Sequence, residues 1–422
     1  MKQKIIVIGA GFAGLPFVRK IDENLFDILL IDKINHHQFQ PLFYQVATSQ
    51  IEPSSISFPI RHIFKNKKNV QIRMAELESI DSSNKKIKTS IGEFDYDYLV
   101  IATGCKTNFF GNEEIQKHSF SLKTTYESIT IRNHILNIFE KILSASESEK
   151  EALFNLAIVG AGPTGVELAG AFAEIKKNIL PKDYPRIDFS RFKIYLVEGS
   201  KNTLNTMSDN AKIASKKYLE KMGVTLLTEV FVKNYDGQVL TFSNKQSIKT
   251  RTVIWAAGVT GNAIPGIPRD ALVRGNRILV DRINKTQFSD TVFALGDIAY
   301  METPKYPNGH PQVANVAINQ GINLAKNLNK LQKGKAIKAF EYKDRGSMAT
   351  IGRNKAVVDF PFIKFKGYLA WLIWMFLHLM LILSVRNKLI IFINWAIEYI
   401  TKDTSLRLIL TDDESKKKAG KL

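Results

Sequence analysis

The run IIVIGAGFAG, residues 5–14, decides the fold. Apolar and β-branched residues through Ile8 make a short buried strand, and the chain then breaks into Gly9, Gly11 and Gly14. A strand, a G-x-G-x-x-G turn and a helix, expected here over Leu15–Asp22, is the phosphate-binding start of a dinucleotide-binding unit. The first glycine permits the tight turn, the second lets a pyrophosphate approach the backbone, and the third lets helix and strand pack closely. The phosphates then meet the positive end of the helix. A second β-rich run, FDILLID, ends in Asp32, 23 residues after Gly9, where a carboxylate can hold ribose hydroxyls.

The same design returns in LAIVGAGPTGVELAG, residues 156–170, with Gly160, Gly162 and Gly165 at the same spacing. The following strand, FKIYLVE, ends in Glu198, 38 residues after Gly160, and the extra length contains KKNILPKDYPRIDFSR, which reads as a basic insertion around 181–192. A carboxylate at Glu198 accepts bonds from a free 2′-hydroxyl and repels a 2′-phosphate, so the second site is expected to prefer NADH to NADPH. A further echo is YDYLVIATG, ending at Gly104, against TVIWAAG, ending at Gly258, which lie 95 and 98 residues beyond their respective first glycines. DTVFALGDIA, residues 290–299, is a strand finishing in Gly296 and Asp297, with nothing equivalent completing the second unit. The pattern predicts an α/β chain with two Rossmann-like domains. The first takes residues 1–112 and 280–345, the second 113–279, and a C-terminal region runs over 346–422.

Composition narrows the setting. The chain has 422 residues, too many for one ordinary core, and a net charge of +19, which favours an anionic partner such as nucleic acid, an acidic protein or the headgroups of a membrane leaflet. Its one cysteine, Cys105, excludes an intramolecular disulfide, a CxxC redox pair and a cysteine-built metal site. That usage suits a reducing compartment, and no secretory signal is read in MKQKIIVIGAG. No metal site is expected: His36 and His37 have no cluster of other ligands nearby and read as loop histidines. Nothing resembles a nucleic-acid module.

The twin fingerprints, the ATG at 102–104 and the late GD at 296–297 resemble the two-dinucleotide flavoprotein family over roughly residues 1–345. The resemblance implies non-covalent FAD in the first domain and NAD(P)H in the second. Asp297 then matches the aspartate on the flavin's ribityl chain, and Thr103 and Gly104 match the turn beside FAD. Phe12, Ala13, Lys33, Thr48 and Leu77 join the FAD site by the same resemblance, and Pro163, Thr164 and Gly258 join the NADH site. The segment NHHQFQPLFYQVATSQIEPSSISFPIR, residues 35–61, is similar to the equivalent stretch of type II NADH:quinone oxidoreductases. In that family it runs beside the flavin and the quinone entrance, which here implies Pro41, Tyr44, Gln45 and Thr48. Glu167 has two compatible readings. An acidic residue in the first turn of the second fingerprint helix complements the helix dipole, and the family implicates this glutamate in proton handling beside nicotinamide and flavin. The family's AQxxxQ pattern departs here to ANVAIN, so Asn315 and Asn319 replace its two glutamines at the quinone, followed in register by Gln320. Asparagine keeps the amide but is one methylene shorter.

In the C-terminal run GYLAWLIWMFLHLMLILSV, residues 367–385, nearly every residue is apolar and His378 is the one clear exception, with Trp371 and Trp374 near its start and Arg386 and Lys388 after it. Its length is borderline for a bilayer span. LIIFINWAIEYI, residues 389–400, adds a second apolar helix carrying Asn394 and Glu398. The pair reads as one span plus an amphipathic helix, or as two helices in the interface plane; the resemblance implies the latter, as C-terminal membrane-anchoring helices of a monotopic enzyme. A buried dimer contact is the purely structural alternative. The terminal SKKKAGKL suits an anionic cytoplasmic leaflet. The resemblance as a whole implies a homodimer on the cytoplasmic face of a bacterial inner membrane, passing electrons from NADH through FAD to menaquinone or ubiquinone without pumping protons. The alternatives are an NADH-dependent reductase of ferredoxin or rubredoxin, and a low-turnover NADH-binding flavoprotein with a signalling role.

Overall fold

The computed structural model describes residues 2–262, 264–404 and 406–410, so the SKKKAGKL tail lies outside the described residues. Two compact units divide the chain. The first is the chain up to Gln38 with Phe58–Lys106 and Val259–Asp344; the second is Phe39–Ser57, Thr107–Gly258 and the chain from Arg345 onward.

The first unit is built on a five-stranded parallel sheet in the order Val292–Ala294, Tyr98–Ile101, Gln3–Ile8, Phe26–Asp32, Val70–Met74. Covered on both faces, such strands read as continuous apolar runs, and Ile5, Ile6 and Val7 have no exposure at all. The central strand pairs Ile8 with Ile31 on one side and with Ile101 on the other, so three strands end together where the glycine turn begins. The helix that follows spans Gly14–Lys20, shorter at its end than the expected Asp22, and packs against the Ala314–Leu331 helix.

The second unit repeats the plan with Phe120–Ser121, Thr252–Trp255, Asn155–Val159, Lys193–Glu198 and Val224–Thr228, again all parallel. Here the structure corrects the expectation that nothing completes this unit. Phe120–Ser121 takes the edge position that Val292–Ala294 holds in the first unit, but it comes from before the fingerprint instead of after it. A two-residue strand carries too little periodicity to be read from sequence.

The contact boundaries also differ from those expected. Val259–Leu279 belongs with the first unit, because Arg277–Leu279 pairs in parallel with Ala299–Tyr300 and the Arg277 guanidinium donates to the Ala299 carbonyl. Phe39–Ser57 belongs with the second, where its Phe43–Ala47 helix packs on the Thr125–Ser144 helix. The basic insertion is not a free loop. The Pro163–Asn178 helix uses its first part, and Phe189 and Phe192 then pack edge-on against Phe139 at 5.9 and 5.5 Å.

The 367–385 run is not one helix. Tyr368–Leu381 has 14 residues, about 21 Å of α-helix against a hydrocarbon core of about 30 Å, and extended backbone at Ile382 separates it from the Val385–Thr401 helix. Among the described residues no helix is long and apolar enough to cross a membrane. A three-stranded antiparallel sheet, Ser347–Gly352, Lys355–Asp359 and Lys364–Lys366, leads into this pair.

That sheet sits on the second fingerprint helix at Gly170, where an added Cβ would lie 2.3 Å from the Ile351 carbonyl oxygen. Backbone atoms cannot yield cheaply, so Gly170→Ala is expected to lower stability by about 1–3 kcal/mol. A urea titration followed by tryptophan fluorescence measures it; an unchanged midpoint would contradict this packing.

Candidate functional site

Each unit carries one glycine turn, and the two are built by the same three hydrogen bonds. In the first, Gly9 N donates to Ile31 O at 2.8 Å, Ala10 N to Asp32 Oδ2 at 2.7 Å and Ile34 N to Asp32 Oδ1 at 3.0 Å. In the second, Gly160 N donates to Val197 O at 2.7 Å, Ala161 N to Glu198 Oε2 at 2.7 Å and Ser200 N to Glu198 Oε1 at 2.8 Å. The carboxylate ending the second strand therefore ties the loop to the neighbouring strand through both of its oxygens. Burial pushes the Asp32 carboxyl up, and the N–H groups of Ala10 and Ile34 act against that shift.

The glycines test whether a dinucleotide fits. Gly9 and Gly160 have φ of +104° and +101°, a region L side chains rarely adopt, and a Cβ on Gly165 would come within 1.8 Å of Gly160 O. A Cβ on Gly11 or Gly162, by contrast, would meet nothing within 4 Å. The middle glycine of each turn thus borders open space, where a pyrophosphate would lie. Thr103 adds a second sign, since its Oγ1 is buried with no hydrogen-bond partner among the described residues, and it stands in the turn before Gly104. Both sites fit the cofactors expected of them.

The remaining predicted residues of the first unit fall into two groups. Gly296 N donates to Gln320 Oε1 at 2.8 Å, so Gln320, 1% exposed and expected at the quinone, is instead committed to holding the Gly296–Asp297 turn. Asp297 O accepts from Gln312 Nε2 at 3.0 Å, and its Oδ2 accepts from Cys105 Sγ at 3.2 Å, which leaves Cys105 a packing and hydrogen-bonding role. Asn315 and Asn319 are paired on the Ala314–Leu331 helix, Asn319 Nδ2 donating to Asn315 O at 2.7 Å. Lys33 is exposed beyond Asp32, and Leu77 opens a strand of a separate antiparallel sheet. His37, expected in a loop, lies in the short strand His36–Gln38, with its Nδ1 2.8 Å from Ala10 O and its ring edge-on to Phe12 at 5.3 Å. Burial lowers it to about 4, so it is neutral and shapes the first turn from behind. No group of His, Cys, Asp and Glu that could hold a metal occurs among the described residues.

In the second unit, Pro163 and Thr164 open the fingerprint helix, and Gly258, at φ +91°, accepts from Asn108 N through its carbonyl. Pro41 precedes the Phe43–Ala47 helix, and Thr48 caps it, donating from Oγ1 to Tyr44 O at 2.8 Å. Tyr44, Gln45 and Glu167 line one cleft, part of it open to solvent. Glu167 corrects one expectation. It is the fifth residue of its helix, in the second turn and 8% exposed, so complementing the dipole is not its place. Burial pushes its carboxyl up to about 8; Thr350 N, 3.4 Å from Oε1, and the Trp374 indole favour the ionised form without offsetting burial. The carboxyl is therefore protonated at neutral pH and able to donate.

Sequence reading missed the other walls of this cleft. Trp395 Nε1 donates to Gln45 Oε1 at 2.9 Å, and Gln45 Nε2 donates to the Tyr44 hydroxyl at 3.0 Å. Trp374, 1% exposed, stacks on His378 at 4.0 Å and turns its indole toward Glu167. Asn387 fastens the last helix by donating to Ser54 O and Ser55 O at 3.1 and 2.9 Å. The only sequence signal was the pair of tryptophans in an apolar run, which equally suited interfacial anchors.

Comparison with known proteins agrees with this construction. Residues 3–321 match the pyridine nucleotide-disulphide oxidoreductase family, and residues 345–402 match the NDH2 C-terminal domain. Two Mycobacterium tuberculosis proteins are similar. The type II NADH:quinone oxidoreductase Ndh is 30% identical over 98% of this chain and 91% of its own, and NdhA is 31% identical over 94% and 87%. The structure of NDH2 from Plasmodium falciparum in complex with NADH shares the fold at a TM-score of 0.89 with 23% identity, covering 97% of this chain and all of that one. The chain belongs to the type II NADH:quinone oxidoreductases, within the pyridine nucleotide-disulphide oxidoreductase family.

Proposed function

We propose that the chain oxidises NADH and reduces a membrane quinone, with FAD held in the first unit. The observation that carries this reading is the doubled carboxylate-tied glycine turn, Asp32 on Ala10 and Glu198 on Ala161, together with a buried, protonated Glu167 in a cleft of the second unit. FAD, when bound, accepts a hydride from NADH and passes two electrons onward.

The chain's own residues bind, orient and donate. Gly9, Gly11, Phe12, Ala13 and Gly14 cradle the FAD pyrophosphate with Asp32 on its ribose, and Thr103, Gly104, Gly296 and Asp297 line the rest, with Lys33, Leu77 and Thr48 at its margins. Gly160, Gly162, Pro163, Thr164 and Gly165 do the same for NADH, Glu198 holds the adenosine ribose, and Gly258 closes the turn. Tyr44 and Gln45, kept in place by Trp395, orient the quinone head with Pro41, Asn315 and Asn319. Glu167 gives a proton to a quinone oxygen as charge develops there.

The last two helices supply the membrane contact. Leu369, Phe376, Leu381, Phe392, Ile397 and Ile400 are all more than half exposed, an apolar surface that suits helices lying in the lipid interface. Binding at the cytoplasmic face, attraction to anionic lipid and a homodimer are parts of the same proposal.

The direct test is anaerobic stopped-flow mixing of the FAD-loaded protein with NADH, then with a short-chain menaquinone or ubiquinone analogue. The flavin should bleach with NADH and recover colour with quinone; bleaching without recovery would move a protein carrier to the front. Glu198→Gln should narrow the preference for NADH over NADPH by about tenfold, the worth of one like-charge repulsion near 1.4 kcal/mol, in kcat/KM ratios. Glu167→Gln should lower quinone turnover by about 10²-fold, the scale of a positioned general acid. The acid form is the active one, so parental turnover should fall as pH rises through about 8, and the variant should lack that step. Stability has the same sign. Between the ordinary carboxylate range and about pH 8 the folded protein keeps a proton that the unfolded chain releases, so stability drops with rising pH, and Glu167→Gln should flatten that slope of up to about 1.4 kcal/mol per pH unit in denaturant titrations.

A further inference from the structure

Reduction of a quinone by NADH consumes one proton from water. The hydride brings two electrons and one proton, NADH becoming NAD⁺; both quinone C=O groups become C–OH, and the second proton comes from solution. A buried donor such as Glu167 can act once and must then be reloaded, so a route from solvent is required.

The cleft in the second unit holds two further carboxyl groups besides Glu167. Glu174 lies seven residues along the same helix, hence on the same face about 10 Å away. Glu398 comes from the Val385–Thr401 helix, and both line the cleft together with Gln50, Asn178 and Thr350. Glu174 Oε1 accepts from Arg353 N at 2.5 Å, the Arg353 guanidinium lies 4.0 Å over the Tyr399 ring and donates to Tyr399 O, and exposed Lys402 stands at the rim. Trp374 lines the same cleft and acts on Glu167 through its indole N–H, so the donor carboxyl faces the space that Glu174 and Glu398 also line. Carboxyl groups about 10 Å apart along one helix cannot pass a proton directly, and water, which Gln50, Asn178 and Thr350 on the same walls can also bind, spans such a gap.

We propose that Glu398 and Glu174 relay protons from the rim of this cleft to Glu167, through water held between them.

The proton affinities suit such a transfer. Burial pushes Glu398 up to about 8, as it does Glu167, so those two are of similar strength, and burial raises Glu174 as well. The charged and titratable groups facing the pair come from every neighbouring element. Glu174 raises Glu398, while Arg353 lowers both. Lys355 and Lys177 lower Glu174, and Tyr44, itself pushed well up by burial, stays neutral beside Glu167. In both groups burial outweighs these neighbours, so each holds its proton more tightly than a free carboxyl.

The proposal rests on the donor role of Glu167 and is tested so that the two can fail separately. Glu398→Gln, Glu174→Gln and Glu167→Gln are compared in the full-length, FAD-loaded protein by anaerobic stopped flow. In the relay variants NADH should bleach the flavin at the parental rate, while its reoxidation by a short-chain quinone slows about tenfold with a larger solvent deuterium isotope effect. Glu398→Asp should restore the rate, and formic acid in the buffer should rescue Glu398→Gln and Glu174→Gln. If both relay variants reoxidise at the parental rate and isotope effect while Glu167→Gln is slow, the relay is wrong and the donor stands. If all three behave as the parent, the donor assignment falls and the relay with it. Slowing that neither Asp nor formic acid relieves would mark the pair as merely structural and overturn the relay.

Discussion

The structure depends on one constraint, repeated: a carboxylate at the end of the second strand must accept an N–H from a glycine turn that ends the first. Asp32 takes Ala10 N and Glu198 takes Ala161 N, each at 2.7 Å. A turn this tight exposes backbone N–H groups at the mouth of a parallel sheet, and leaving them unpaired would cost more than a hydrogen bond contributes. Tying one inward, through the carboxylate, leaves the others facing the helix N-terminus for phosphate. The same bond sets where the carboxylate lies, so loop geometry and ribose recognition come from one contact.

Around that constraint the two units diverge in what supports their turns. The first adds His37, kept neutral by burial, behind Ala10, and Gln320 on the Gly296 turn, which are neutral hydrogen-bonding groups placed against backbone. The second places carboxyl groups into a cleft where burial outweighs the pull of Arg353 and Lys355. Burial, more than any neighbour, sets the proton affinity of Glu167 and Glu398. Keeping an acid neutral at pH 7 needs a low-dielectric wall, and Trp374, Trp395 and Tyr44 supply it. Helices with a greasy exterior therefore serve the cleft with their inner faces: Trp395 and Asn387 look inward while Phe392 and Ile397 look out.

Much of this was legible in the residues. Glycine spacing, strand composition and the terminal Asp32 and Glu198 are local signals, because the turn they make is local. Boundaries were less so: Arg277–Leu279 joins the first unit through a pairing with Ala299–Tyr300, and Phe120–Ser121 joins the second sheet from far upstream, and neither is announced by its own few residues. Gln320 and Glu167 show the same limit within the site. An amide in the right register looked like a ligand group and turned out to hold a backbone turn, while a glutamate near a helix start looked like a dipole partner and turned out buried.

By itself, then, the sequence determined that two dinucleotide turns exist, which residues make them, and that an apolar pair of helices closes the chain, since each of these is encoded within a span of a dozen or so residues. Only the tertiary structure decided that Glu167, Glu174 and Glu398 share one cleft with three tryptophans. Proton affinity is a property of surroundings, and those surroundings are assembled from segments near residues 44, 170, 350, 374 and 398, which no local pattern brings together.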